Sequence, residues 1–254
     1  MGISGGPNII EDGLVLALDA SDKNSNSSAG NTNLKNIANT LGSPVVSNGT
    51  TSVNKVSLDG TDDYIVINSS IDSTILSPSI ATFSIWFNPS SAVFDSRANS
   101  LISRGNYNTA GSFFIHMFTN TVSLNSPSVS ANFSYSTTAS YSNNSTSTYS
   151  LKGFNVWSNV TVIADDNISL YIDGQFKQTV SRVTGSIIYG NGAINTGGDT
   201  NLVLCSGLSY SPTISNGYWE PWKGDFGNFQ MWNRRLSATE ILQNYNAQKS
   251  RFNL

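Results

Sequence analysis

Charged side chains are scarce in this 254-residue chain: only 11% are Asp, Glu, Lys or Arg, against about 25% in ordinary globular proteins. Glutamate is the rarest, with 3 residues against 13 aspartates. Helix surfaces draw on Glu and Lys, so a mostly helical protein is excluded. The single cysteine, Cys205, excludes an internal disulfide and a cysteine-based zinc site. A lone thiol of this kind is expected as a small buried apolar side chain. No run of Lys or Arg exceeds the pair Arg234-Arg235, and the net charge is -3. Nothing in the chain forms the basic stripe that neutralises phosphates, so no nucleic-acid partner is expected. No apolar stretch approaches the roughly 18 residues of a membrane span, so no membrane association is expected. The first twenty residues lack the basic segment and uninterrupted apolar run of a signal peptide.

What the chain does have is hydroxyl and amide. Ser, Asn and Thr number 42, 31 and 21, together 94 of 254 residues, and these types favour strands, turns and caps. With 38% hydrophobic and 11% aromatic residues a sizeable core can form. Short alternating runs recur between turn signals: 13–18, 53–58, 63–68, 81–88, 100–104, 112–118, 156–164, 168–172, 175–180, 201–205 and 224–232. In the fourth, Phe83, Ile85 and Phe87 share one face and Thr82, Ser84 and Trp86 the other. Asp173-Gly174 between two such runs is a strong hairpin signal, because both residues tolerate positive φ. Strands that recur without an intervening helical pattern indicate an all-β antiparallel sandwich. One helix is signalled near the C-terminus: Ser237 as N-cap and Glu240 three residues on form a capping box, followed by the stripe Ile241, Leu242 and Tyr245. Residues 126–150, uncharged and rich in Ser, Thr, Asn and Tyr, read as a long loop or an uncharged edge hairpin. Residues 185–200, rich in Gly and Asn, read as a second long loop. Residues 1–12 read as an extended arm that docks on a neighbour, ahead of one domain over 13–254.

The order of these segments resembles the laminin G-like, concanavalin A-like jelly roll, a group that includes the pentraxins. The matching pieces are Leu58-Asp-Gly-Thr-Asp-Asp-Tyr-Ile65, Phe83-Ser-Ile-Trp-Phe87, Ser100-Leu-Ile-Ser-Arg104, Trp157 with its strand, Leu170-Tyr-Ile-Asp-Gly174, Leu202-Val-Leu204 and 222–241. They span roughly 53–248, with insertions. The resemblance implies a jelly-roll sandwich of two antiparallel sheets with one short C-terminal helix. The two ends, Ile10 to Ser21 and Glu240 to Phe252, are similar to those of laminin G-like structural proteins of tailed bacteriophages, cyanophages in particular. That likeness implies a virion component assembled in the host cytoplasm.

Jelly rolls of this class include glycosidases, which need two carboxylates flanking the scissile bond. The glycosidase branch carries them as Glu-X-Asp-X-(X)-Glu on one strand. The only glutamates here are Glu11, Glu220 and Glu240, and none sits among strand-spaced acids. A Ser-His-Asp site would need His116, the sole histidine, which lies in the apolar run Phe113-Phe-Ile-His-Met117 and reads as structural. The chain is therefore expected not to be an enzyme. Calcium requires several hard oxygens; Asp59, Asp62 and Asp63, and Asp165, Asp166 and Asn167, are the two clusters that offer them. Both read first as polar turns. Pentraxins ligate calcium from loops matching Gly105 to Thr109 and Ser206 to Ser211; these hold Asn106 and Asn108 but no acid. No cofactor is expected on these grounds, calcium being the one candidate.

Gly217-Tyr-Trp-Glu-Pro-Trp222 is dense in aromatics just ahead of the last strand. Tyr210, Tyr218, Trp219 and Trp222 are the candidate contact residues. Trp219 and Trp222 either cover a sandwich end or seat the C-terminal helix, or the group anchors a subunit interface or stacks on sugars. The leading expectation is a non-enzymatic virion structural protein, a capsid decoration or an accessory tail or fibre protein. It would act through contacts with capsid or tail subunits and as a homo-oligomer. The alternative is a lectin-like adhesion module that binds host surface glycans.

Overall fold

The computed structural model describes residues 8–26, 30, 34–38, 45–47, 49–67, 80–90, 99–104, 113–119, 127–137, 140–181, 202–205, 207–208, 218–219 and 222–254. In chain order the strands are β1 (Leu14–Asp19), β2 (Val45–Ser47), β3 (Thr50–Thr51), β4 (Val56–Asp59), β5 (Tyr64–Ile67), β6 (Ala81–Pro89), β7 (Asn99–Arg104), β8 (Phe113–Thr119) and β9 (Pro127–Thr137). They continue as β10 (Ser140–Ser145), β11 (Tyr149–Ser150), β12 (Ser158–Ala164), β13 (Asn167–Ile172), β14 (Gln175–Ser181), β15 (Leu202–Leu204), β16 (Gly207–Leu208), β17 (Tyr218–Trp219) and β18 (Lys223–Trp232). The chain ends in α1 (Ala238–Gln248) and a 3-10 turn over Lys249–Phe252.

Two eight-stranded antiparallel sheets form the sandwich. One runs β14-β13-β12-β6-β18-β4-β3, with β1 also paired to β18; the other runs β10-β9-β8-β7-β15-β5-β2, with β11 paired to β9. The core lies between them. Phe83, Ile85 and Phe87 face Val162 and Val160 on one side and Met231, Phe229 and Phe226 on the other, in direct register. All are fully or almost fully buried, together with Ile65, Ile67, Leu101, Ile115, Val129, Leu202 and Leu204 of the opposite sheet.

The alternation in β6 suggests a wet outer face, yet Thr82, Ser84 and Trp86 are buried as well. The reason is α1, which lies across that face. Trp86 is sandwiched between Tyr245 (ring centroids 5.5 Å apart, 6° between planes) and Phe252 (4.4 Å, 15°), and Phe252 in turn meets Trp157 at 4.6 Å. Several hydroxyls and amides caught beneath the helix bond to one another: Asn159 Nδ2 donates to Ser84 Oγ at 2.9 Å, Asn228 Nδ2 to Gln248 Oε1 at 2.6 Å, and Gln248 Nε2 to Gln230 Oε1 at 2.9 Å. The expected cap is present in both directions, Ser237 Oγ accepting from Glu240 N and the Glu240 carboxylate from Ser237 N.

Residues 126–150 are not a long loop. They form the edge hairpin of the alternative expectation, β9 with a returning limb split into β10 and β11, both paired to β9, because uncharged Thr, Tyr and Phe alternating with Ser and Asn suit a pleated surface. The segment 185–200 lies outside the described residues. Of the proposed arm, residues 8–12 are bound to their own chain: Ile10 N donates to Asn244 Oδ1, Trp232 Nε1 to Ile10 O, and Gln243 Nε2 to Asn8 O. Residues 1–7 are outside the description.

Candidate binding site

One end of the sandwich gathers most of the residues singled out from sequence. There β4 turns into β5 through Asp59-Gly60-Thr61-Asp62-Asp63. Gly60 is in the left-handed region (φ +81°), and a Cβ at this position would stand 2.8 Å from the Lys223 Cβ. Asp59 Oδ1 accepts from Thr61 N at 2.7 Å, and Asp63 Oδ2 from Asp59 N at 2.6 Å. The first is the side-chain-to-backbone bond of an Asx turn, and the second closes the loop from its far end. One oxygen from each of Asp59, Asp62 and Asp63 lies within 4.8 Å of the others, with Asp63 buried and the other two exposed. Burial raises the Asp63 pKa; the bond from Asp59 N opposes this, and repulsion from Asp59 and Asp62 adds to it. Three carboxylates so close would welcome a hard cation. Calcium takes six to eight oxygens, and two of these carboxylates already hold the turn's own N–H groups, so the turn is complete without an ion.

The aromatic segment joins at the same end, since Lys223 pairs with Asp59 in register. Trp222, expected as a contact residue, is instead fully buried. Its ring sits edge-on to Phe87 (5.8 Å, 76°) and its backbone N–H donates to Cys205 O at 3.1 Å. The correction has a local cause. Trp222, Gly224 and Phe226 follow strand spacing on the core side, and Gly224 leaves room: a Cβ there would stand 2.7 Å from the Trp222 ring and 2.3 Å from Asn88 O. The signal was in the sequence, because the alternation of β18 extends back one step to Trp222. Tyr218 and Trp219 form β17 and pair with Leu208 and Gly207 of β16, a two-stranded ribbon rooted at the Cys205–Trp222 bond. Tyr210 lies outside the described residues. Cys205 is buried and free, and burial pushes its thiol pKa up.

The second polar cluster is a tight turn. Asp165 Oδ1 accepts from Asn167 N at 2.7 Å, while Asp165 also pairs with Arg235. Other described acids are similarly occupied. Asp19 forms a two-pronged pair with Arg251 (2.6 and 2.7 Å), Asp173 meets Lys152 at 3.1 Å and Asn159 N at 2.9 Å, Asp225 meets Lys55 at 2.9 Å and Ser57 Oγ at 2.7 Å, and Glu240 meets Arg234 at 2.7 Å. His116 sits in β8 between Ser100 and Ser130 in register.

Sequence reasoning missed a different surface, at the tip of β13–β14. Asp173 (φ 51°) and Gly174 (φ 73°) make the expected turn. The regular register of that two-residue turn places Phe176 opposite Tyr171, and the pairing slips only beyond it, between Tyr171 and Leu170. Phe176 is 56% exposed. The Phe after the Asp-Gly turn was legible, but its exposure was not.

A family model described as the concanavalin A-like lectin/glucanases superfamily, laminin G-like, matches residues 59–242. The chain belongs to this family. Laminin G-like domains share the two-sheet sandwich seen here, as the likeness of the matching segments implies. Among solved structures, the sandwich is similar to the binding domain of botulinum neurotoxin DC in complex with SialylT (TM-score 0.61, 13% identity, covering 93% of this chain and 51% of that one). It is also similar to the botulinum neurotoxin serotype D ligand binding domain in complex with N-acetylneuraminic acid (TM-score 0.60, 16% identity, 93% and 51%). A third is a mutant of Trypanosoma rangeli sialidase displaying trans-sialidase activity (TM-score 0.59, 13% identity, 96% and 34%). At these identities the likeness is one of fold. The chain spans about half the length of the neurotoxin domains and about a third of the sialidase. No curated protein matches the sequence.

Proposed function

We propose that this laminin G-like domain is a non-enzymatic recognition module for glycans. The observation that carries the reading is where its carboxylates go. A glycosidase needs a pair of acids free to face a sugar. Here Asp19, Asp165, Asp173, Asp225 and Glu240 each hold a cation or a backbone N–H of the fold. Among the described residues the remaining close group of acids, Asp59, Asp62 and Asp63, is partly taken up by turn N–H groups, and the hydroxyl, amide and aromatic groups in which the chain is rich are of the kind that bind sugars. Sugar complexes among proteins of the same fold, those with SialylT and N-acetylneuraminic acid, support the reading. Its test is a broad glycan array probed with the full chain, followed by a hydrolysis assay on every sugar retained. Binding without turnover is expected; turnover of any bound sugar would overturn the non-enzymatic part, and an empty array the glycan part.

A second reading concerns where the module works: on a phage particle, as capsid decoration or tail accessory. The two end segments that resemble phage structural proteins form one unit in space. Arg251 clasps Asp19, and Asn244 accepts from Ile10 N. Quantitative mass spectrometry of purified particles tests this. Hundreds of copies indicate the capsid lattice, a handful the tail or vertices, and none would discard the virion.

A further inference from the structure

We propose that the corner where the β13–β14 turn meets α1 binds a sugar bearing a carboxylate, its ring resting on Phe176 and its acid group on Lys152 and Lys249. The proposal rests on the glycan-recognition reading and places that activity away from the acidic turn and the aromatic ribbon.

Phe176 is the one aromatic among the exposed large apolar side chains of the described residues. Its ring stands edge-on to Tyr171 (5.4 Å, 68°), which is only 6% exposed, so one side of Phe176 is supported and the other open. The helix closes on the turn beside it. A Cβ on Gly174 would meet Tyr245 Cβ at 3.0 Å and Leu242 Cδ1 at 3.2 Å. The turn and the helix therefore share one surface, on which Leu242 is also exposed.

Two ammonium groups converge on Tyr245, whose ring is held flat against Trp86. Lys249 Nζ lies 5.7 Å from the ring centroid. Lys152 Nζ lies 3.1 Å from Asp173 Oδ2, with the Tyr245 hydroxyl beside it. Asp173 and Phe176 are three residues apart, so the chain separates them by no more than about 10 Å. One sugar or disaccharide spans that distance.

Charge complementarity selects an acidic ligand. The chain as a whole is at -3, yet Lys249 and the Lys152 of the Lys152–Asp173 pair both meet Tyr245 here. The apolar part, one ring and one leucine, is far smaller than the roughly 1,000 Å² that a stable protein interface needs. Around it Gln175, Thr179 and Asn246 are exposed, offering the amide and hydroxyl groups that orient a sugar.

The test uses the full chain with three probes, sialyllactose, a uronate oligosaccharide and neutral lactose, followed by saturation-transfer NMR and calorimetry. The unmodified chain should bind at least one acidic probe at least tenfold better than lactose, and less tightly at 200 mM than at 20 mM salt. Phe176→Ala should lose at least tenfold and Phe176→Tyr should not. The double variant Lys152→Gln, Lys249→Gln should erase the preference for acid, with urea unfolding midpoints reporting that each variant is folded. Acidic-sugar binding that survives both changes within twofold overturns this site while leaving glycan recognition standing, as does binding of lactose alone. Binding of no sugar at all on the probes and the array overturns both.

Discussion

Phe252→Ala removes the residue that fastens the C-terminal turn to the sandwich. Phe252 is 4% exposed, stacks on Trp86 at 4.4 Å, meets Trp157 at 4.6 Å and lies against Gly227, where a Cβ would come within 2.6 Å of its ring. A Phe of this kind buries on the order of 150 Å², worth about 4 kcal/mol at about 25 cal/mol per Å². Measured Phe-to-Ala losses in cores run at about 3–5 kcal/mol. The two ring contacts add about 0.5–1.5 kcal/mol each beyond area, while the solvent-side position of the turn allows partial collapse. The expected loss is about 4 kcal/mol, which for a chain of this size lowers the thermal midpoint by roughly 8–16 °C. Urea unfolding followed by tryptophan fluorescence and by far-ultraviolet circular dichroism measures it. The two probes should shift together, because the tail is part of the single core. A loss below about 1 kcal/mol, or a fluorescence transition that separates from the circular dichroism one, would refute the view that the last turn is core and not appendage.

Arg251→Met leaves Asp19, 7% exposed at its side chain, without its cation, and should cost about 3–5 kcal/mol; Asp19→Asn in the same chain should recover much of that in a double-mutant cycle. Arg234 beside Glu240, with the Ser237 N–H, holds the Glu240 carboxyl down at about 2, from an ordinary 4.5. Its stabilisation is therefore complete above about pH 4.5 and is lost as pH falls from there towards 2. At this partly exposed pair screening trims the effect to about 1 kcal/mol, so Glu240→Gln should be less stable at pH 7 and converge with the parent near pH 2 in urea midpoints. Gly224→Ala has no room, with backbone Asn88 O at 2.3 Å and φ at +150°, and should abolish soluble folded protein or cost about 4 kcal/mol or more; an unchanged midpoint would contradict the packing of Trp222.

The strands that were legible are those whose alternation faces the core. The β6 run, the Asp173-Gly174 hairpin and the Ser237–Glu240 cap all follow from nearest-neighbour chemistry and appear within a residue or two of their expected bounds. β9 and β10 were not legible as strands with the same clarity, because Ser and Asn serve turns and pleated edges alike, and only pairing with β8 selects the strand. Of the candidate contact residues, Trp222 was misplaced because the aromatic density of 217–222 outweighed the β18 alternation that puts it on the core side. The outer face of β6 was hidden for a related reason: its hydroxyls mark it as wet, and only the distant α1 makes it dry.

The sequence by itself determined the class of fold, the turn residues that must tolerate positive φ and the lack of a strand-spaced Glu-X-Asp-X-(X)-Glu pattern, since these depend on residues close together along the chain. The tertiary structure alone decided which aromatics are exposed and which acids are occupied. Trp222 meets Phe87 across 135 positions, and Asp19 meets Arg251 across 232. Alternation can mark a face, but which partner covers it, and which acid meets which base, is set by distance in space and not along the chain.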